Sequence, residues 1–140
     1  FGDICDIRKC ISCNVGCAGN RIGINRPIRC TVNPAVPTGD SYKKQHINKP
    51  CNVVVIGGGT AGMEAACTAA EVGCTTFLIE KKPYLGGLAA EISKIPDKKR
   101  LADFPNYLIH RAQKLKNLFV FTGTDASASF VKKSEAEYHR

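Results

Sequence analysis

The stretch from Val53 to Gly62 constrains this chain more than any other. Val53, Val54, Val55 and Ile56 are all β-branched and read as a buried strand. Gly57, Gly59 and Gly62 then follow at G-x-G-x-x-G spacing, where the strand should turn into a helix. Each glycine has its own task. Gly57 permits the tight turn, Gly59 has no Cβ and lets a pyrophosphate approach the backbone, and Gly62 lets the helix pack closely on the strand. Thr60 and Ala61 open that helix, and the unpaired N–H groups of its first turn would face the phosphates, helped by the helix dipole.

Alone, such a glycine fingerprint is weak, because glycine runs also occur in ordinary loops. Here the neighbours agree with it. Ala65, Ala66, Ala69 and Ala70 continue the helix with small side chains suited to close packing, and Gly73 is placed to end it. A second strand follows over 75–79, with Glu80 at its end, where an acid can accept ribose hydroxyls. A carboxylate there disfavours a ribose 2′-phosphate, although Lys81 and Lys82 come next; Lys81 is also a candidate contact to the nucleotide, against a solvated loop. The fingerprint does not separate FAD from NAD, since both carry ADP. The fold class this implies is α/β: a Rossmann-like FAD/NAD(P)-binding βαβ unit.

The chain has 140 residues, enough for one ordinary domain, and opens on Phe1, so we expect a piece of a longer polypeptide. No apolar span of membrane length is visible, and the expected location is cytoplasmic. The net charge of +8 raises the question of nucleic acid, but the basic residues are scattered and not interleaved with aromatics.

Eight cysteines are many for this length. Cys51, Cys67 and Cys74 lie in the nucleotide-binding unit and read as small packing residues. Cys10, Cys13, Cys17 and Cys30 form C-x2-C-x3-C-x12-C, with Cys5 as a spare just upstream. Asn14, Gly16, Gly19 and Gly23 supply the turns that would wrap one inorganic centre. Three close cysteines and one remote favour an iron–sulfur cluster. Structural zinc more often uses two close pairs. The spacing leaves zinc, or no metal, open. Residues 1–33 are thus read as an irregular Cys-rich iron–sulfur segment, 34–50 as a connector punctuated by Pro34, Pro37, Gly39 and Pro50, and 51–140 as a partial FAD (ADP-moiety)-binding domain.

The cysteine pattern, Asn33-Pro34 after the fourth cysteine, and the glycine fingerprint downstream together resemble one family. It is the iron–sulfur flavoproteins of the 2,4-dienoyl-CoA reductase, trimethylamine dehydrogenase and clostridial 2-enoate reductase type, including NADH:flavin oxidoreductases related to old yellow enzyme. The resemblance runs from about Asp6 to about Gly123. It implies a 4Fe–4S cluster on Cys10, Cys13, Cys17 and Cys30, and FAD, or in one branch ADP, at the fingerprint. Gly86 and Gly87 match the FAD-binding members, where paired glycines let the backbone pass close to the cofactor. It also implies partners in the same full-length chain: an FMN-binding TIM barrel before the cluster and an NAD(P)H domain after it. The activity implied is transfer of electrons from NAD(P)H through FAD and the cluster to FMN, which reduces an activated C=C bond. No residue of this chain is named as catalytic. The alternative is a non-catalytic, zinc-stapled nucleotide-binding module, and a homo-oligomer is left open.

Beyond Gly87 the pattern is thinner. Ile92, Ile95 and Pro96 suggest a short helix or loop closing over the nucleotide. Leu101, Phe104, Leu108, Ala112 and Leu115 recur on one face of a helix expected over 98–116, with Asp103 as its cap and Pro105 in the first turn, or with a kink at Pro105. His110 reads as a surface residue. Leu118 to Phe121 reads as a third strand, with the chain ending before the first half of the sheet is complete. Arg8, Lys9 and Arg29 flank the cysteines and would raise a cluster's potential.

Overall fold

The computed structural model describes residues 2–36, 38, 45–49 and 51–131. Most of the connector, and the tail over 132–140 expected to form a short helix, lie outside the described residues.

Three parallel strands, β1 (Asn52–Ile56), β2 (Thr75–Ile79) and β3 (Leu118–Phe121), form one sheet in the order β1-β2-β3. Helix α1 (Thr60–Glu71) joins the first two strands. Helices α2 (Gly87–Ile92) and α3 (Asp103–Gln113), with a 3-10 turn over Pro96–Ala102 between them, join the second and third. This βαβαβ run is a whole half of a doubly wound sheet. The expectation that the half would lack a strand is therefore corrected: Leu118–Phe121 completes it.

One face of the sheet holds the core. Met63, Ala66, Cys67 and Ala70 of α1 pack with Leu78, Leu118, Leu108 and Ala112. The alanines permit the close approach anticipated from sequence, while fully buried Met63, Leu78 and Leu108 each contribute about 1.5–3 kcal/mol by leaving water. The opposite face is only partly covered among the described residues: Ile79 of the middle strand is buried and Phe77 half-buried, while their neighbours on both sides are open. Rows Val54–Phe77–Phe119 and Ile56–Ile79–Phe121 are in register across the strands, and Val54, Ile56, Phe119 and Phe121 are all exposed. Hence β1 is not the buried strand its four β-branched residues suggest. It alternates, with Ile56 55% exposed, because no helix covers its second face.

Gly73 ends α1 as expected, through a Schellman turn. Its N–H donates to Ala70 O at 3.0 Å, Cys74 N–H donates to Ala69 O at 3.0 Å, and φ is +108° at the glycine. The predicted long helix begins later than its apolar pattern does. Residues Pro96–Ala102 wind as a 3-10 turn, and α3 starts at Asp103 as its first helical residue, not its cap. Pro105 falls in the first turn, where a missing N–H costs nothing, so no kink is needed.

Before the sheet, the segment contains a 3-10 turn at Ile4–Asp6 and a π-helical stretch at Val15–Gly23. Ionic and polar contacts fix it to the nucleotide unit. The Arg8 guanidinium donates to Val32 O at 2.7 Å, lies 3.6 Å from Glu64 Oε1 and stacks over the Tyr107 ring at 4.8 Å. Arg8 is thus engaged in joining the two parts. At the end of the connector, Ile47 N–H donates to Val72 O at 2.9 Å.

Candidate functional site

The strand-to-helix turn has the geometry its glycines predict. Gly57 sits at φ +104°, a conformation L side chains rarely adopt, and its N–H donates to Ile79 O at 2.8 Å. A Cβ on Gly62 would stand 1.8 Å from Gly57 O, so helix and turn touch backbone to backbone. A Cβ on Gly59 would meet nothing nearer than Gly87 Cα at 4.0 Å, which leaves the space in front of the turn open. Thr60 and Ala61 are the first two residues of α1, so their N–H groups are among the unpaired donors of its first turn.

Gly86 and Gly87 form a second wall of this cradle. Gly86 N–H donates to Gly58 O at 2.8 Å, and Gly59 and Gly86 form an isolated parallel bridge. Both have positive φ, and a Cβ on Gly87 would lie 2.8 Å from Gly59 Cα. Sequence reasoning gave Gly58 no role, yet it is as confined as the fingerprint glycines: a Cβ there would meet Leu85 Cδ2 at 2.4 Å and Glu80 Cβ at 2.9 Å. The third consecutive glycine, where the fingerprint needs only two of the three, was the available signal.

Glu80 stands at the end of β2 with its carboxylate turned into the cradle. It accepts from Lys82 N–H at 2.7 Å and from Gly58 N–H. The Lys82 N–H, with Gly58 N–H, outweighs the effect of burial and holds its pKa below the usual glutamate range. A folded pKa below the unfolded one means the stabilisation is complete above pH 4.5, the ordinary value, and fades as pH falls through the lowered one. Glu80→Gln turns one acceptor into a donor facing an N–H. It should cost about 1–2 kcal/mol at neutral pH, with the gap between variant and parent closing on acidification in urea melts. Lys81, by contrast, points to solvent, 77% exposed and 3.7 Å from Asp125. The β2–α2 loop is held by Glu91, whose pKa is drawn down to about 2 by Lys94 and then Tyr84.

The cysteine loop is built around Cys13. Ser12 and Asn14, its two neighbours, both have left-handed φ, +56° and +54°. Such alternation turns successive N–H groups inward as a nest. The Thr31 hydroxyl, 3.2 Å from Cys13 Sγ, and then the Val15 N–H lower the thiol's pKa and favour thiolate. Ser12 N–H donates to Cys10 Sγ at 3.3 Å. The Cys17 and Cys30 backbones are drawn together one residue away: Arg29 N–H donates to Gly16 O at 2.7 Å, and a Cβ on Gly16 would stand 2.7 Å from Arg29 O. Arg100 of the 3-10 turn, in the stretch expected to begin the long helix, reaches Ser12 Oγ at 2.8 Å. Among the described residues, the set of three metal-ligating groups within 4.8 Å of one another is Asp3, Cys5 and His110, not any three of these four thiols. His110 is corrected from the surface reading. Its side chain is only 23% exposed, with Nε2 between Asp3 and Asp6.

Residues 52–118 match the FAD dependent oxidoreductase family model, and this span contains the whole glycine cradle and Glu80. The chain carries an FAD-dependent oxidoreductase domain. The chain is similar to an NADH oxidase from Thermoanaerobacter brockii, 46% identical over 74% of this chain and 16% of the relative. A cinnamate reductase from Clostridium sporogenes is 43% identical over 58% of this chain and 12% of the relative. Among solved structures, a 2-naphthoyl-CoA reductase superposes with a TM-score of 0.84 at 30% identity, over 92% of this chain and 20% of that one. Histamine dehydrogenase from Rhizobium sp. 4-9 gives 0.81 at 25% identity, over 91% of this chain and 20% of that one. The chain therefore spans a small part of the curated relatives it matches. No helix of the described residues is long and apolar enough to cross a membrane.

Proposed function

We propose that this chain is the electron-transfer portion of an NAD(P)H-dependent flavin oxidoreductase, with FAD in the glycine cradle and a 4Fe–4S cluster on Cys10, Cys13, Cys17 and Cys30. The observation that carries the reading is the Cys13 nest beside a flavoprotein domain, with Ser12 joined to the domain through Arg100. When bound, the flavin exchanges electrons in pairs or singly and the cluster singly, so together they connect a hydride donor to one-electron steps. Gly57, Gly59 and Gly62, with the N–H groups of Thr60 and Ala61, would seat the pyrophosphate, and Gly86 and Gly87 would let the rest of the cofactor pass close to the backbone. Glu80 keeps acceptor capacity beyond its two N–H bonds and would take the ribose hydroxyls.

At the other centre, N–H groups aimed at the sulfurs of Cys10 and Cys13 would stabilise thiolate and tune potential. A single zinc ion holds its four thiolates about 3.8 Å apart. No three of the four sulfurs lie within 4.8 Å of one another, so they do not form a preset zinc tetrahedron. The superpositions leave out less than a tenth of the chain and so take in most of residues 1–33, which supports treating segment and domain as one unit. Substrate reduction would then belong to an FMN-binding barrel, and hydride delivery to an NAD(P)H domain, both elsewhere in a longer chain.

Anaerobic purification tests this. We expect a brown protein with about four iron and four sulfide per chain, bleached by dithionite. Cys17→Ala and Cys30→Ala should lose the iron and keep the flavin. A colourless protein holding stoichiometric zinc on these cysteines would instead make the chain a zinc-stapled nucleotide-binding module.

A further inference from the structure

We infer that Asp3, Cys5 and His110 form a second metal site, separate from the four-cysteine loop, which takes a zinc ion and fastens the start of the chain to α3. The proposal is independent of the flavin reading. The ligand atoms of the three residues all lie within 4.8 Å of one another. His110 Nε2 is 3.2 Å from Asp3 Oδ2 and 3.3 Å from Asp6 Oδ1. Tetrahedral zinc with nitrogen and oxygen ligands at their usual bond lengths holds neighbouring donors about 3.3–3.5 Å apart. His110 and the two aspartates are already at about that spacing, with the Cys5 thiol within 4.8 Å of His110 and Asp3.

The hydrogen bonding points the same way. Nε2 is buried and makes no hydrogen bond, although two carboxylate oxygens lie within 3.3 Å. Acceptors thus converge on a point at which this nitrogen directs no proton. A cation satisfies them all. The other Asp3 oxygen accepts from Cys5 N–H at 2.9 Å, which orients the carboxylate and sets the turn that brings the thiol round. Thiolate, imidazole and carboxylate together select zinc over calcium or magnesium, which prefer oxygen alone.

Asp6 is the fourth candidate, but Lys114 Nζ already contacts its Oδ1. The lysine is half exposed and can swing aside, so the fourth position falls to Asp6 or to water. Because Cys5 and Asp6 lie in one short 3-10 turn capped by Asp3, and His110 lies on α3, the ion would cross-link elements about a hundred residues apart in sequence.

The test uses the full chain as purified, with whatever iron it carries. After chelator treatment it is titrated with Zn2+, and separately with Co2+ as an optical probe of thiolate ligation. The parent should bind one equivalent more zinc than Cys5→Ser or His110→Ala, with affinity at least tenfold above either variant, and only the parent should show the extra thiolate–cobalt absorption. Both variants should keep the parent's iron content and circular dichroism, which establishes that they are folded. Lys114→Gln, which frees Asp6, should retain the site and bind at least as tightly. Equal zinc uptake by parent, Cys5→Ser and His110→Ala would overturn the proposal. So would zinc that enters only as iron leaves.

Discussion

Gly62→Ala should cost about 3 kcal/mol, the upper end of what overpacking does, and should abolish FAD uptake. Its Cβ would stand 1.8 Å from Gly57 O, 3.0 Å from Gly57 C and 3.6 Å from Val55 Cγ1. None of these neighbours can yield. The carbonyl belongs to a residue held at φ +104° whose own N–H is tied to Ile79 O, so relief means moving α1 off the sheet with Met63 and Ala66 on it. Gly59→Ala is the informative contrast. Its Cβ has 4.0 Å to the nearest atom, so the apoprotein should melt within about 1 kcal/mol of the parent. The added methyl nonetheless occupies the approach to the backbone, and FAD affinity should fall. Urea melts and flavin titrations on both variants separate the two roles. Two variants as stable and as flavin-loaded as the parent would refute the cradle.

Removing Arg111 should be nearly as damaging. Its guanidinium forms a two-pronged pair with Glu71, donating from NH2 to Oε2 at 2.8 Å and from Nε to Oε1, and its NH1 is 3.0 Å from Glu64 Oε1. Burial works against the charge, yet Glu71 and Glu64 outweigh it and hold the group's pKa above its ordinary value. The side chain is only 10% exposed, and each glutamate 25%. Arg111→Met takes from Glu71 its two-pronged partner and leaves Glu64, among the described residues, facing only the more distant Arg8 guanidinium, at 3.6 Å. Breaking a fully buried pair costs 3–5 kcal/mol; the partial exposure here lowers the expected loss to about 2–4 kcal/mol. Adding Glu64→Gln and Glu71→Gln should recover part of it, since much of the penalty lies in carboxylates that have lost their nearest cation. Glu64 also faces Arg8, so limited proteolysis should cut the N-terminal segment of Arg111→Met sooner than that of the parent. A denaturation midpoint unchanged by Arg111→Met would remove this network from the account.

What the sequence made legible was local. The turn at Gly57 and the stop at Gly73 depend on φ at single residues. Each is written where it acts. Pairings between distant residues were not legible. Arg111 meets Glu71 forty positions away, and His110 meets Asp3 across most of the chain, so an i,i+3 or i,i+4 pattern cannot reveal them. The exposure of Val54 and Ile56 was misread for a related reason. Four β-branched residues record that a strand is apolar on both sides, whereas burial depends on what covers each side. The start of α3 was misplaced because a 3-10 turn carries much the same apolar recurrence as the helix it leads into.

The partly open side of the sheet has a consequence for handling this polypeptide. Phe119 is stacked on Phe77 at 5.5 Å between centroids, with Phe121 and Ile56 beside them, and among the described residues β1 is an edge strand of the ladder. Released from whatever normally lies across it, such a surface is adhesive in water and offers its rim for further strand addition. A truncated product would meet its own copies there, and dilution, not purity, would decide whether it stays in solution.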